Sequence, residues 1–227
     1  MHGIRQTRGA LASWREEPWP VLRSWLAGSL CAALLLLVAI WVISLLSSAR
    51  GVVALERPPF VVGDRLDVVR ILASNVLVLA LHAMACVAGF IAGSSLPLQA
   101  RYRTGLMRAI YEGSRRGAIV FVVCATSFSL SWQAYALGRT VARVSAVLHV
   151  SSALLLIGLL PHAVPELVAL FLPLAAWIIA SRRGQWDNLL AATMVTVAFA
   201  LPTLLITALW EVYVAPHLLG ALLGHGS

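Results

Sequence analysis

The sequence predicts an all-α, polytopic transmembrane helical bundle of five to six spans. Three observations predict it. Of 227 residues, 60% are hydrophobic and only 11% charged, where a soluble domain carries about 25% charged residues. Mean hydropathy is +0.89. The apolar residues gather in runs long enough for spans of roughly 20 residues each, separated by short arginine-bearing loops. No additional soluble domain is expected.

The elements follow in order. Residues 1–23 read as a cytoplasmic, basic N-terminal segment, bent at Pro18-Trp19-Pro20, with Trp14, Trp19 and Trp25 suited to the membrane interface. Residues 24–227 read as one transmembrane domain. Glu16 and Glu17 interrupt the basic region and the apolar run that follows is too long for a signal core, so it is expected to be kept as the first span, at about 25–46. A mixed-charge loop covers 49–67. The second span, about 69–96, holds Asn75 and His82 and ends before Pro97; Gly89 and Gly93 form a small-xxx-small face that permits close helix packing. Residues 99–116 carry Arg101, Arg103, Arg108, Arg115 and Arg116 against Glu112 and read as an amphipathic helix on the cytoplasmic membrane surface. They are candidates for contact with lipid or with a partner. The third span covers about 118–137, with Arg139 and Arg143 after it.

Residues 145–180 then form a 36-residue apolar stretch, too long for one span even with tilt. Pro161 and Pro165 are expected to divide it, because proline removes a donor and clashes with the preceding turn. Either two short spans make a hairpin, or a re-entrant half-helix near 145–165 feeds one full span. The last span covers about 189–214. Arginine counts place the N-terminus and the 99–116 segment in the cytoplasm; a re-entrant segment puts the C-terminus outside and a hairpin puts it inside.

Net charge is +8 and every basic residue other than histidine is arginine. Nucleic acid is excluded as a partner, because the arginines lie between apolar runs, where they orient helices and meet anionic headgroups. Membrane lipids are expected partners. All-arginine usage with abundant Ala, Leu and Val fits a GC-rich bacterial genome and hence a bacterial plasma membrane. Cys31, Cys86 and Cys124 lie inside apolar runs without paired spacing. They read as small buried hydrophobes, not as a disulfide framework or a thiolate metal site.

The candidate site is a pair of polar clusters in hydrocarbon: Pro161-His162-Ala-Val-Pro165-Glu166, and Trp210-Glu211-Val-Tyr213-Val-Ala-Pro216-His217. A carboxylate costs a few kcal/mol at a helix centre. His162 and Glu166 are one helical turn apart. Glu166, Glu211, His162 and His217 could exchange protons as general acid and base, bind a divalent ion, or tie helices together by hydrogen bonds. No metal is assigned, since His-Glu-x-x-His is absent. Asn75, His82, Tyr213 and Trp132 are the further polar candidates for a cavity or an interhelix contact. Walker A, dinucleotide and Gly-x-Ser-x-Gly motifs are absent.

These residues carry a resemblance. Leu-Leu-Pro161-His162-Ala-Val-Pro-Glu166-Leu resembles a signature of the stage II sporulation protein M family. Leu209-Trp-Glu211-Val-Tyr213-Val-Ala-Pro216 is similar to that family's second signature, and Asn75 with Gly89, Gly93 and Pro97 to an earlier one. The match covers roughly 68–217; Ala163, Ala215 and the extra Pro165 depart from the pattern. The resemblance implies an integral membrane protein with no assigned cofactor, acting in envelope remodelling or beside clusters that make peptides such as circular bacteriocins. The reading that follows is a membrane subunit that processes, matures or exports a peptide or remodels the envelope. Its expected partners are a membrane ATPase or second membrane subunit, a peptide substrate, or a further copy of the chain. One alternative is an enzyme using Glu166 and Glu211 with His162 and His217 for peptide-bond transfer, elimination or epimerisation. A second is a small-molecule or ion transporter.

Overall fold

The computed structural model describes residues 2–49, 65–97 and 104–222, and everything regular among them is helical. Helix α1 (His2–Glu16) ends at Pro18, and α2 (Trp19–Ala49) begins immediately after it. Then follow α3 (Arg65–Phe90), extended by a π-helical turn (Ile91–Ser95), and α4 (Leu106–Val147). A tight turn leads to α5 (Ser152–Arg182); a 3-10 turn (Trp186–Asn188) leads to α6 (Leu189–Tyr213) and the short α7 (Ala215–Leu222). Among the described residues, five helices are long and apolar enough to cross a membrane. The chain is a multi-pass membrane protein.

The prolines do not break the segment; residues 152–182 form one helix. Pro161, Pro165 and Pro173 all lie inside the continuous helix α5. The turn comes earlier. Helix α4 runs on through Arg139 and Arg143 to Val147, where His149 takes a positive φ of 54°. The Val150 amide then bonds the Ser145 carbonyl at 3.0 Å and the His149 amide bonds Ala146 at 3.4 Å, the pattern that usually employs glycine. Ser151 caps α5 by accepting from the Leu154 amide at 3.2 Å, and the Ser145 and Ser152 hydroxyls meet at 3.1 Å. A histidine in glycine's place hid this stop signal. The interior prolines persist because neighbouring helices and local adjustment satisfy the freed carbonyls of a membrane helix. At the other end of α5 the usual residue is present: Gly184 at φ 67°, with the Gln185 amide on the Ala180 carbonyl at 2.9 Å. The 106–116 stretch is the beginning of α4 itself, not a separate surface helix; Arg101 and Arg103 lie outside the described residues.

Helix α5 is the centre, packing against α2, α3 and α6, and every residue from 169 to 177 is buried. Helix α4 stands at the edge, chiefly against α2. The small residues decide the close approaches. A Cβ on Gly89 would fall 2.6 Å from the Trp177 indole nitrogen; one on Gly93 would overlap the Trp186 ring; one on Gly138 would fall 2.7 Å from Ile43. The expected small-xxx-small face is therefore in use, against two tryptophans. Several buried hydroxyls bond within their own helix, as where the Ser29 hydroxyl donates to the Trp25 carbonyl at 2.6 Å. Large apolar side chains such as Leu77 and Phe128 point outward, as lipid requires. Of the cysteines only Cys86 is buried; Cys31 and Cys124 are exposed on the outer faces, a correction to the expectation that all three are core residues.

Candidate functional site

The site draws on α3, α5 and α6, three helices that all pack on one another. Glu166 lies on α5 and Glu211 near the end of α6, both half-buried. Their carboxyls are within electrostatic reach of each other, and Asn75 of α3 sets its side chain beside Glu166. The two sequence clusters therefore approach each other through Glu166 and Glu211 alone. No arginine pairs with either carboxyl among the described residues. Two acids facing each other without a counter-charge are costly in a low-dielectric interior, and the cost falls when they share protons or bind a cation or a donor. The Asn75 amide nitrogen is buried without a hydrogen-bond partner of good geometry, and its side chain stands beside Glu166.

His162, one turn before Glu166 on α5, is buried at 6% exposure, and its Nδ1 has no partner. It is an unused polar atom close in sequence to the carboxyl pair. The other cluster members separate from it. His217 sits exposed on α7, and Tyr213 is exposed at the end of α6. Trp132 is no part of the site: it lies 61% exposed on α4, and its ring contact is with Tyr135 of the same helix at 6.0 Å. Among the described residues no three His, Cys, Asp or Glu side chains come together as a metal site. The side chains of Arg108, Arg115 and Arg116 are outside what the structure describes.

His82 is an interhelix strut, not a cavity residue. It is fully buried and its Nδ1 lies 2.9 Å from the Leu170 carbonyl of α5. A carbonyl only accepts, so Nδ1 holds the proton and Nε2 stays without a partner. One turn on, Cys86 donates to the Pro173 carbonyl at 3.1 Å. Pro173 lacks an N–H, so the α5 ladder is already perturbed at this level. Ser94 donates to the Asp187 carboxyl at the far end of α3. Asn75, His82, Cys86 and Gly89 thus line one face of α3, against α5. The spacing of 7, 4 and 3 residues was a legible signal for that face. From the sequence Cys86 reads only as a small buried hydrophobe and Ser94 is not singled out, because a lone thiol or hydroxyl in an apolar run gives no sign of the carbonyl or carboxyl it will meet.

Comparison with family models, with curated proteins and with solved structures finds no match to this chain. The class that fold and site define is a five-span helical membrane protein with a half-buried carboxyl pair.

Proposed function

We propose that the chain is a subunit of a complex in the bacterial plasma membrane that processes, matures or exports a peptide, or remodels the envelope, in the manner of the stage II sporulation protein M family. The observation that carries the reading is the convergence of Glu166, Glu211 and Asn75 from three helices into one polar locus. Holding such a locus in hydrocarbon is expensive unless a substrate group or a partner's donor completes it. With five crossings the arginine-bearing N-terminus and Arg182-Arg183 would share one face, and the excess of arginine supports a cytoplasmic reading of that face. The Glu166–Glu211 pair, near the end of α6, then belongs to the outer half of the bundle.

The same pair supports an enzyme reading, because facing carboxyls of unequal environment divide the roles of acid and base. The two readings separate in a deletion strain whose secreted peptides and released wall fragments are profiled by mass spectrometry. Loss of a mature peptide or a wall product, restored by Glu166→Gln and Glu211→Gln as well as by the unaltered gene, supports the subunit. Failure of both variants to restore it, with the protein still present in the membrane, supports the enzyme. An unchanged profile in the deletion strain sinks both.

A further inference from the structure

We propose that α1 closes a binding site for one anionic glycerophospholipid against α2, α5 and α6, remote from the carboxyl pair. Two recesses lie under α1, and Trp14, Val21 and Trp25 line both, so they adjoin. The first, about 90 Å³, is lined by Arg183, Gln185 and Asn188. The second, about 220 Å³, is lined by Leu22, Val195 and Phe199, and by Arg15. Within one adjoining space the lining changes from cationic and amide to hydrocarbon and indole. That gradient is the chemistry of an amphiphile. A free phosphate would leave the apolar part wet; an uncharged lipid tail would leave the guanidinium unmatched.

The polar end is available. Arg183, Gln185 and Asn188 make no side-chain hydrogen bond or ion pair with the described residues. Asn188 precedes the first turn of α6, whose amides present the positive end of the helix dipole. The acids nearby look elsewhere: Asp187 accepts from Ser94 on α3, and Glu16 and Glu17 line neither recess. The wall is fixed by an edge-to-face contact of Trp14 with Trp25 at 5.2 Å, Trp25 being 5% exposed. The first recess lies where α5 gives way to α6, beside Arg183, and the second runs along α6 as far as Phe199; anionic lipid is concentrated at an arginine-bearing membrane face. The lipid would lie with its phosphate at Arg183 and an acyl chain passing Leu22 towards Phe199, which pins α1 to the membrane surface.

The test uses the full chain, delipidated in a zwitterionic detergent, with native mass spectrometry and thermal unfolding as readouts. The probes are dioleoylphosphatidylglycerol, dioleoylphosphatidylethanolamine and glycerol 3-phosphate. The expected result is one bound phosphatidylglycerol, held at least tenfold more tightly than phosphatidylethanolamine, with an upward shift in unfolding temperature that glycerol 3-phosphate does not produce. Arg183→Gln should lower that retention at least tenfold, and Arg182→Gln, beside the recess but not lining it, should leave it unchanged. Val195→Trp should expel the lipid with every charge in place; circular dichroism and gel filtration check that each variant folds. Equal retention of the two lipids, or undiminished phosphatidylglycerol in Arg183→Gln, overturns the proposal. An equal shift with glycerol 3-phosphate overturns the lipid and assigns the site to a soluble phosphate.

Discussion

At the scale of the residue, the protein concentrates its polar groups where hydrocarbon makes each one matter. His82 is the clearest case. Its bond to the Leu170 carbonyl joins α3 to α5 in a fully buried interior. Interhelix hydrogen bonds of this kind contribute about 0.6 to 2 kcal/mol in membranes. His82→Leu keeps most of the volume and removes the donor, so it should lower the unfolding temperature by a few degrees, read by thermal unfolding in detergent, without loss of helix content. Glu166, Glu211 and Asn75 form one coupled unit. A double-mutant cycle on Glu166→Gln and Asn75→Ala should show non-additivity of about 0.5–3 kcal/mol; strict additivity in chemical unfolding would mean that the two side chains do not act together.

At the scale of the element, two devices set the packing. Glycines 89 and 93 let α3 approach the tryptophans of α5 and of the α5–α6 turn. Gly93→Ala forces a methyl into the Trp186 ring, an overpacking that costs about 1–3 kcal/mol, whereas Gly117→Ala meets open space and should cost nothing measurable. Thermal unfolding of the two variants side by side makes the comparison. The second device is proline tolerance. Pro161 and Pro165 are exposed inside α5, so Pro161→Ala should change neither topology nor site geometry, while the buried Pro173 offers its carbonyl to Cys86. Prolines 161 and 165 are poor guides to a helix end here because the turn signal lay in His149 and Ser151, residue types that ordinarily pass unnoticed in a helix.

At the scale of the whole molecule, the single crossing of α5 decides the topology. Five spans put residues 151 and 185 on opposite faces of the membrane. Single cysteines at Ser151 and Gln185, in a background with the three native cysteines replaced by alanine, should react with an impermeant maleimide from opposite sides; labelling of both from one side would restore the hairpin. The arrangement also distributes burial unevenly, with 61% of the α5 core window buried against 17% for α4. Helix α5 is therefore the element whose substitutions should be felt most widely, and α4 the one most open to lipid or to another chain.

Composition and hydropathy alone determined that this chain is an all-helical membrane protein, where most of its spans lie, and which few residues are too polar for their surroundings. Those are local properties: a run of twenty apolar side chains needs lipid wherever it sits, and a carboxylate in it is costly whatever its neighbours. Tertiary structure decided the rest. It joined Glu166 to Glu211 and Asn75, left His217, Tyr213 and Trp132 outside, turned His82 into a strut, and carried α5 unbroken through three prolines. Each of these depends on which helix faces which, and helix periodicity tells only that a face exists, not what it meets across a gap of many residues in the chain.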